Sequence, residues 1–93
     1  MGKLIEFPLR RVCALGVPPE IVSQMRRQLA HVSVSVDAST LQRADLLVIG
    51  EEEPRAFDFV AWVRRISPAF PILYWTGDVA AAALAERCRL ALG

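Results

Sequence analysis

The sequence predicts an α/β domain built on a four-stranded, all-parallel sheet. Residues 46–49 form an apolar run bounded by Asp45 and Gly50, the pattern of a central strand that is buried on both faces. Four such short runs alternate with helix-like segments, which favours βαβ units with right-handed crossovers and the strand order 2-1-3-4. The chain has 93 residues, enough for one domain and too few for a second.

The first strand and the first helix are marked by an apolar run and by two prolines. Residues 11–15 form a buried strand that ends at Gly16. A helix then begins near Pro19 and Glu20, because proline is favoured in the first turn and a carboxylate there complements the helix dipole. An apolar stripe predicts that this helix covers residues 19–30.

A strand with one buried face and a short helix lead to the central strand. Val32, Val34 and Val36 alternate with polar residues, which is typical of a strand at the edge of a sheet. The segment that follows leaves room for barely two helical turns, which we expect Ser39 or Thr40 to cap.

The second half of the chain continues the alternation. The three glutamates 51–53 are interpreted as the first turn of a helix, where they complement the dipole. Residues 71–76 predict the fourth strand, and we expect Gly77 and Asp78 to cap a final helix over residues 79–92. The apolar stripe of this helix consists of Ala81, Leu84, Ala85, Cys88 and Leu92.

Charge and hydropathy disfavour two classes of partner. Lys and Arg total 11 against 10 acidic residues, so the net charge of +1 creates no global field that would attract nucleic acid or an anionic membrane. The three arginine pairs are interpreted as solvated helix faces. No apolar run approaches the roughly 18 residues of a membrane span, and the N-terminal residues do not resemble a signal peptide. We therefore expect a cytoplasmic protein.

The cysteines and the histidine do not have the spacing of a metal site. Cys13 and Cys88 each lie in an apolar segment, and we expect both to be reduced core residues. His31 has no cysteine or carboxylate at ligand spacing and is interpreted as a solvated loop residue. We expect neither a metal nor a cofactor.

Three segments resemble the receiver domain of bacterial response regulators. Residues 12–21 are similar to the first strand and acidic loop of that family, residues 44–50 to its phosphoacceptor strand, and residues 62–77 to its third helix and fourth strand. The resemblance covers residues 11–93 and implies a flavodoxin-like three-layer sandwich. The fifth strand and fifth helix of the family are absent, so we expect residues 1–93 to form one truncated receiver-like domain.

The same resemblance implies a phosphorylation pocket that has lost its chemistry. A receiver holds Mg²⁺ with two acidic residues after the first strand and takes a phosphoryl group on an aspartate that ends the third strand. The matching positions in this chain are Gly16 and Val17 for the acidic pair and Gly50 for the aspartate. Glu51 lies one residue further on, where its side chain points elsewhere. Thr76 matches the hydroxyl that senses the phosphoryl group, and we interpret it as a strand end with a local hydrogen bond.

These assignments predict a non-catalytic, receiver-like protein-interaction module in bacterial signalling that is not phosphorylated. The alternative is a phosphocarrier, because residues 13–16 are similar to the phosphocysteine loop of phosphotransferase-system IIB subunits of the lactose and cellobiose type. Such a loop surrounds the phosphate with backbone N–H donors, whereas Pro18 and Pro19 have none. A buried, structural Cys13 is therefore preferred to a phosphorylated one.

Self-association is the last prediction from the sequence. Without the fifth helix of the family, the third and fourth strands are expected to lie bare on the face of the first helix, and the fourth strand becomes a free edge without charge or proline. A two-fold homodimer is the default. Residues 1–10 form either a short edge strand or an arm, which could fold over this face instead. The expected interaction surface consists of Ile72, Tyr74, Trp75, Leu84, Cys88 and Leu92.

Overall fold

The computed structural model describes residues 9–93, which form four strands, three α-helices and one 3₁₀ helix. The strands are β1 (Arg10–Leu15), β2 (Val32–Ser35), β3 (Leu46–Gly50) and β4 (Ile72–Trp75); the helices are α1 (Pro19–Gln28), the 3₁₀ helix (Ala38–Arg43), α2 (Ala56–Ile66) and α3 (Ala81–Leu92). The arm predicted for residues 1–10 lies outside the described residues except for its last two, of which Arg10 begins β1. Within residues 9–93, every helix is too short or too polar to cross a bilayer.

The four strands form one parallel sheet in the order β2-β1-β3-β4, which confirms the predicted topology. Val12 of β1 is opposite Val34 on one side and Leu46 on the other, so β1 lies inside the sheet. In β4, Leu73 is opposite Val48 of β3, and β4 forms one edge of the described sheet. Because helices cover both faces, the architecture is the predicted flavodoxin-like three-layer sandwich.

The sheet divides the core into two halves. Side chains of β1 point alternately to its two faces, so Val12 and Ala14 pack towards α1 and α3, whereas Cys13 and Leu15 pack towards α2 and the 3₁₀ helix. Every residue of β3 is buried, as predicted for a central strand. β3 therefore anchors both halves of the core.

The end of α1 and the cap of the 3₁₀ helix differ from the predicted ones. α1 ends at Gln28 rather than at Ala30. The 3₁₀ helix is capped by Asp37 and not by Ser39 or Thr40, because the Asp37 carboxylate accepts a hydrogen bond from the backbone N–H of Ser39 at 2.9 Å. The same bond holds the pKa of the Asp37 carboxyl below its usual value.

The loops before α2 and α3 are longer than predicted. Residues 51–53 form a turn and α2 begins only at Ala56, so the predicted helical first turn is wrong. α3 begins at Ala81 without a side-chain cap, so the cap predicted for Gly77 and Asp78 is also wrong. A carboxylate of the glutamate turn instead accepts a hydrogen bond from the backbone N–H of Gly77 at 2.5 Å. The polar groups of the two loops thus bond to each other rather than to the helix ends.

α3 covers the face of the sheet that was predicted to lie bare. It contacts α1, β3 and β4, and its residues Leu84, Ala85 and Cys88 are fully buried. Trp75 of β4 is only 5% exposed on the same side, and its indole N–H donates to the carbonyl of Val79 at 2.9 Å. The prediction of an uncovered face beside α1 is wrong because the chain crosses back over the sheet after β4. Trp75, Leu84 and Cys88, which were predicted for the interaction surface, are therefore buried within the single chain.

The apolar surface that stays open lies on the opposite face, beside β4. α2 packs on β1 and β3 there, whereas Tyr74 of β4 remains 57% exposed and Phe57 of α2 is 85% exposed. Ile72 is half-buried next to them, and Leu92 is half-buried at the end of α3. Of the six residues predicted for the interaction surface, Ile72 and Tyr74 thus lie on one accessible patch.

Candidate functional site at the carboxyl ends of the strands

Gly16 and Gly50, which the sequence resemblance assigned to a phosphorylation pocket, meet at the carboxyl ends of β1 and β3. Leu15 of β1 is paired with Ile49 of β3, so Gly16 and Gly50 follow side by side. A Cβ atom at position 50 would lie 2.1 Å from the carbonyl oxygen of Gly16. Optimal contact between two heavy atoms is about 3.5–4 Å. The backbones of Gly16 and Gly50 are therefore in direct contact.

Gly16 is held in addition by the turn that follows β3. Its φ of 74° lies in the left-handed region that favours glycine. A Cβ atom at position 16 would lie 2.4 Å from the backbone nitrogen of Glu53. The N–H of Glu53 donates in turn to the carbonyl of Gly50 at 3.1 Å. Gly16, Gly50 and Glu53 thus form a closed backbone contact, here called the glycine junction, with no space for a side chain on either glycine.

Val17, at the second position of the acidic pair, points into the core. It is buried among the residues that pack between the sheet and α1. Mg²⁺ is held by oxygen ligands, and neither a glycine nor a buried valine side chain supplies one. Among residues 9–93, no three His, Cys, Asp or Glu side chains are grouped so that they could share a metal ion.

Glu51 joins the loop after β3 to the loop after β4. Its Oε2 atom accepts a hydrogen bond from the N–H of Gly77 at 2.5 Å, and its own N–H donates to the carbonyl of Trp75 at 3.1 Å. A bond between a carboxylate and a backbone N–H is stronger than one between neutral groups. The Glu51 carboxylate therefore has a backbone partner within the chain. Gly16 and Val17 supply no side-chain oxygen with which it could share a metal ion.

Thr76 makes the local hydrogen bond that the sequence predicted. Its hydroxyl donates to the carboxylate of Asp78 within the same loop. This bond is the main reason why the pKa of the Asp78 carboxyl lies below its usual value. Thr76 and Asp78 together stabilise the end of β4.

Both cysteines are buried, and they lie on opposite faces of the sheet. Cys13 faces the α2 side, where its thiol donates to the carbonyl of Asp37 at 3.6 Å, and Cys88 faces α1. Burial raises the pKa of both thiols, that of Cys88 to about 11. A phosphocarrier thiol must be accessible and must ionise near neutral pH. Cys13 meets neither condition.

We expect both thiols to resist modification until the protein unfolds. An aromatic disulfide reagent at neutral pH should react with neither Cys13 nor Cys88 in the native protein and with both in guanidinium chloride, as measured by absorbance. Leu90→Cys is a matched control, because position 90 is exposed on α3 and its thiol should react at once. If native Cys13 reacts as fast as that control, its burial is wrong and the phosphocarrier alternative gains support.

An apolar groove opens between α2 and β4, next to the glycine junction. Its volume is about 490 Å³, and we call it the α2–β4 groove. Phe57 and Val60 of α2 line it but were not among the predicted site residues. The sequence showed only that they belong to a wide apolar arc of their helix. The sheet covers only part of this arc, so Phe57 stays exposed. The groove is lined by Ile49, Ala56, Phe57, Val60 and Tyr74, with Glu51 and Thr76 at its polar end.

Comparison with known proteins identifies no relative of this chain. No protein-family model, curated protein or solved structure matches the chain. The function is therefore inferred from the fold, the glycine junction and the open surface beside β4.

Proposed function

We propose that this chain is a non-catalytic, receiver-like protein-interaction module of cytoplasmic bacterial signalling that does not accept phosphate. The glycine junction is the observation that carries the proposal. Phosphoryl transfer depends on a nucleophile and charged ligands that are positioned together. In this chain the matching positions hold two glycines in backbone contact and the buried Val17.

The interaction role is supported by the surface beside β4. Phe57 and Tyr74 are large aromatic side chains exposed next to one another, with the α2–β4 groove between them. Aromatic residues are enriched at the centres of protein interfaces, and contiguous apolar patches on a domain surface mark binding sites. Glu51 and Thr76 give this patch a polar rim at one end.

The phosphocarrier alternative receives no support from the geometry. Cys13 lies within β1 and is fully buried, not in a loop beyond the strand. The residues after Gly16 include Pro18 and Pro19, which have no N–H to donate to a phosphate.

The protein is expected to carry no phosphoryl group after incubation with acetyl phosphate and Mg²⁺. The measurement is the mass of the intact chain, with an authentic receiver domain in a parallel reaction as the positive control. A second reaction with a phosphohistidine carrier protein as donor tests the Cys13 alternative. The physical reason is the same in both reactions. Phosphoryl transfer needs an accessible nucleophile next to groups that neutralise the charge of the phosphate, and neither Gly50 nor the buried Cys13 provides this combination.

Two variants decide what a positive result would mean. An adduct that is lost in Glu51→Gln would make Glu51 a phosphoacceptor and overturn the proposal. An adduct that appears only with the phosphohistidine donor and is lost in Cys13→Ser would replace the proposal by the phosphocarrier function.

A further inference from the structure

Among residues 9–93, β4 pairs with β3 alone, so its other side is an edge whose backbone groups follow from the register. The N–H of Leu47 donates to the carbonyl of Pro71, and the N–H of Glu51 donates to the carbonyl of Trp75, at 3.2 and 3.1 Å. In a parallel pair, alternate residues direct their N–H and C=O groups to the same neighbour. The odd-numbered residues of β4 therefore face β3. The N–H and C=O groups of Ile72 and Tyr74 point outward, away from the sheet.

The side chains of these two residues continue the edge as an apolar patch. Ile72 and Tyr74 point to the α2 side of the sheet, where Val60 and the largely exposed Phe57 lie beside them. β4 contains no charged residue and no proline, the features by which natural edge strands avoid pairing. An exposed edge of this composition is complementary to another strand of the same kind.

The two ends of β4 carry opposite charges. At its beginning, the guanidinium of Arg64 donates to the carbonyls of Pro68 and Phe70, at 3.1 and 2.7 Å, which fixes a positive charge there. Beyond its end lies the exposed carboxylate of Asp78, which accepts a hydrogen bond from Thr76 and also interacts electrostatically with Arg87. An antiparallel second copy brings the beginning of one β4 next to the end of the other. Only this orientation places each Arg64 near Asp78 of the partner subunit.

We propose that two copies of the chain pair through β4 in antiparallel orientation about a two-fold axis at Leu73. Ile72 then lies opposite Tyr74 of the partner subunit, and both outward-facing residues of each strand are used. The four strands of each copy join into one continuous sheet, and the aromatic and β-branched side chains form favourable cross-strand pairs. This pairing rests on the proposed interaction function and names its partner as a second copy.

The area available is sufficient for a weak, specific dimer. Aromatic side chains bury about 150–250 Å² each, so at their exposed fractions of 85% and 57%, Phe57 and Tyr74 offer about 200–350 Å² per subunit. The buried area per subunit increases towards about 600 Å², the lower end of specific interfaces, when Ile72, Val60 and the backbone of the β4 edge are included. We therefore expect a dimer that dissociates on dilution.

Analytical ultracentrifugation over a hundredfold dilution tests the pairing. The wild-type mass is expected to fall from twice the chain mass towards 10.3 kDa. Tyr74→Lys should remain at the chain mass at every concentration, because a charged side chain at the two-fold edge opposes pairing. Leu90→Lys is the matched control, since Leu90 is 74% exposed on α3 and lies outside the proposed interface. Its association should equal that of the wild type.

Exchanging the two charges tests the register. Arg64→Glu and Asp78→Arg should each raise the dimer Kd about 2- to 30-fold, because each removes two ion pairs per dimer. The double variant restores the pairs in reverse and should recover most of the affinity, although it retains any local effect of the lost Arg64 hydrogen bonds. A double variant as weak as the two single changes combined would overturn the register.

The remaining outcomes separate this inference from the proposed function. A wild-type chain that is monomeric at high micromolar concentration, or a Tyr74→Lys variant that still dimerises, overturns the β4 pairing. Neither result bears on phosphoryl transfer, which is measured by the mass of the intact chain. A phosphoryl adduct on a protein that still dimerises through β4 would overturn the proposed function alone.

Discussion

Gly50→Ala is expected to destabilise the protein by about 3 kcal/mol or more, a large share of the roughly 5–15 kcal/mol that keeps a domain folded. The added Cβ atom would lie 2.1 Å from the carbonyl oxygen of Gly16. Overpacking a core usually costs about 1–3 kcal/mol. Here the obstacle is backbone at the end of the β1–β3 pairing, which cannot rotate away like a side chain. Urea unfolding followed by circular dichroism measures the loss.

Gly77→Ala is the matched control for this prediction. A Cβ atom at position 77 would lie 3.8 Å from the Glu51 carboxylate, an ordinary van der Waals contact. We expect its unfolding midpoint to stay close to that of the wild type. Equal losses in the two variants would contradict the glycine junction. Gly50→Asp, which places an aspartate where receiver domains carry their phosphoacceptor, should be at least as unstable as Gly50→Ala and should still take no phosphate.

Trp75→Lys is expected to prevent stable folding, whereas Tyr74→Lys, one residue earlier in β4, is expected to leave stability nearly unchanged. Trp75 is buried in the α1-side core, where truncation of a tryptophan costs about 3–5 kcal/mol and burial of an amine adds to this. Tyr74 faces solvent over more than half of its surface. Thermal unfolding of both variants at low protein concentration measures the difference. Similar losses at the two positions would contradict the orientation of β4.

The topology could be predicted because it depends on patterns that are local in the sequence. The apolar run of β3, the alternation in β2 and the prolines before α1 each favour one type of element, and the crossover rule then orders the strands. The face that α3 covers could not be predicted in this way. β3 is buried on both sides, so both faces of the sheet attract an apolar stripe. The resemblance to receiver domains, in which the first helix shares its face with a fifth helix, then led to the wrong prediction that α3 would not cover the face beside α1.

The candidate site was predicted by position but not by geometry. Gly16 and Gly50 were identified from the resemblance, whereas their contact depends on the register of β1 against β3, which no local pattern shows. The glutamate turn was assigned to a helix because carboxylates complement a helix dipole. In the structure, Glu51 binds the N–H of Gly77, 26 residues further along the chain. A partner at that distance is set by the fold and not by the neighbouring sequence.

The all-parallel sheet also determines how the chain reaches its native state. Arg11 and Asp45 are 34 residues apart, yet they exchange hydrogen bonds beside the first pair of β1 with β3. The guanidinium of Arg89 on α3 reaches the carbonyl of Gln28 at the end of α1 across 61 residues. Closing such long loops costs entropy before the stabilising contacts have formed, which slows folding. Val12 is paired with Val34 of β2 and with Leu46 of β3, so the partner in β2 is the nearer one along the chain. We therefore expect β1 to pair with β2 before it pairs with β3, and the docking of α3 on α1 to complete folding as a later step.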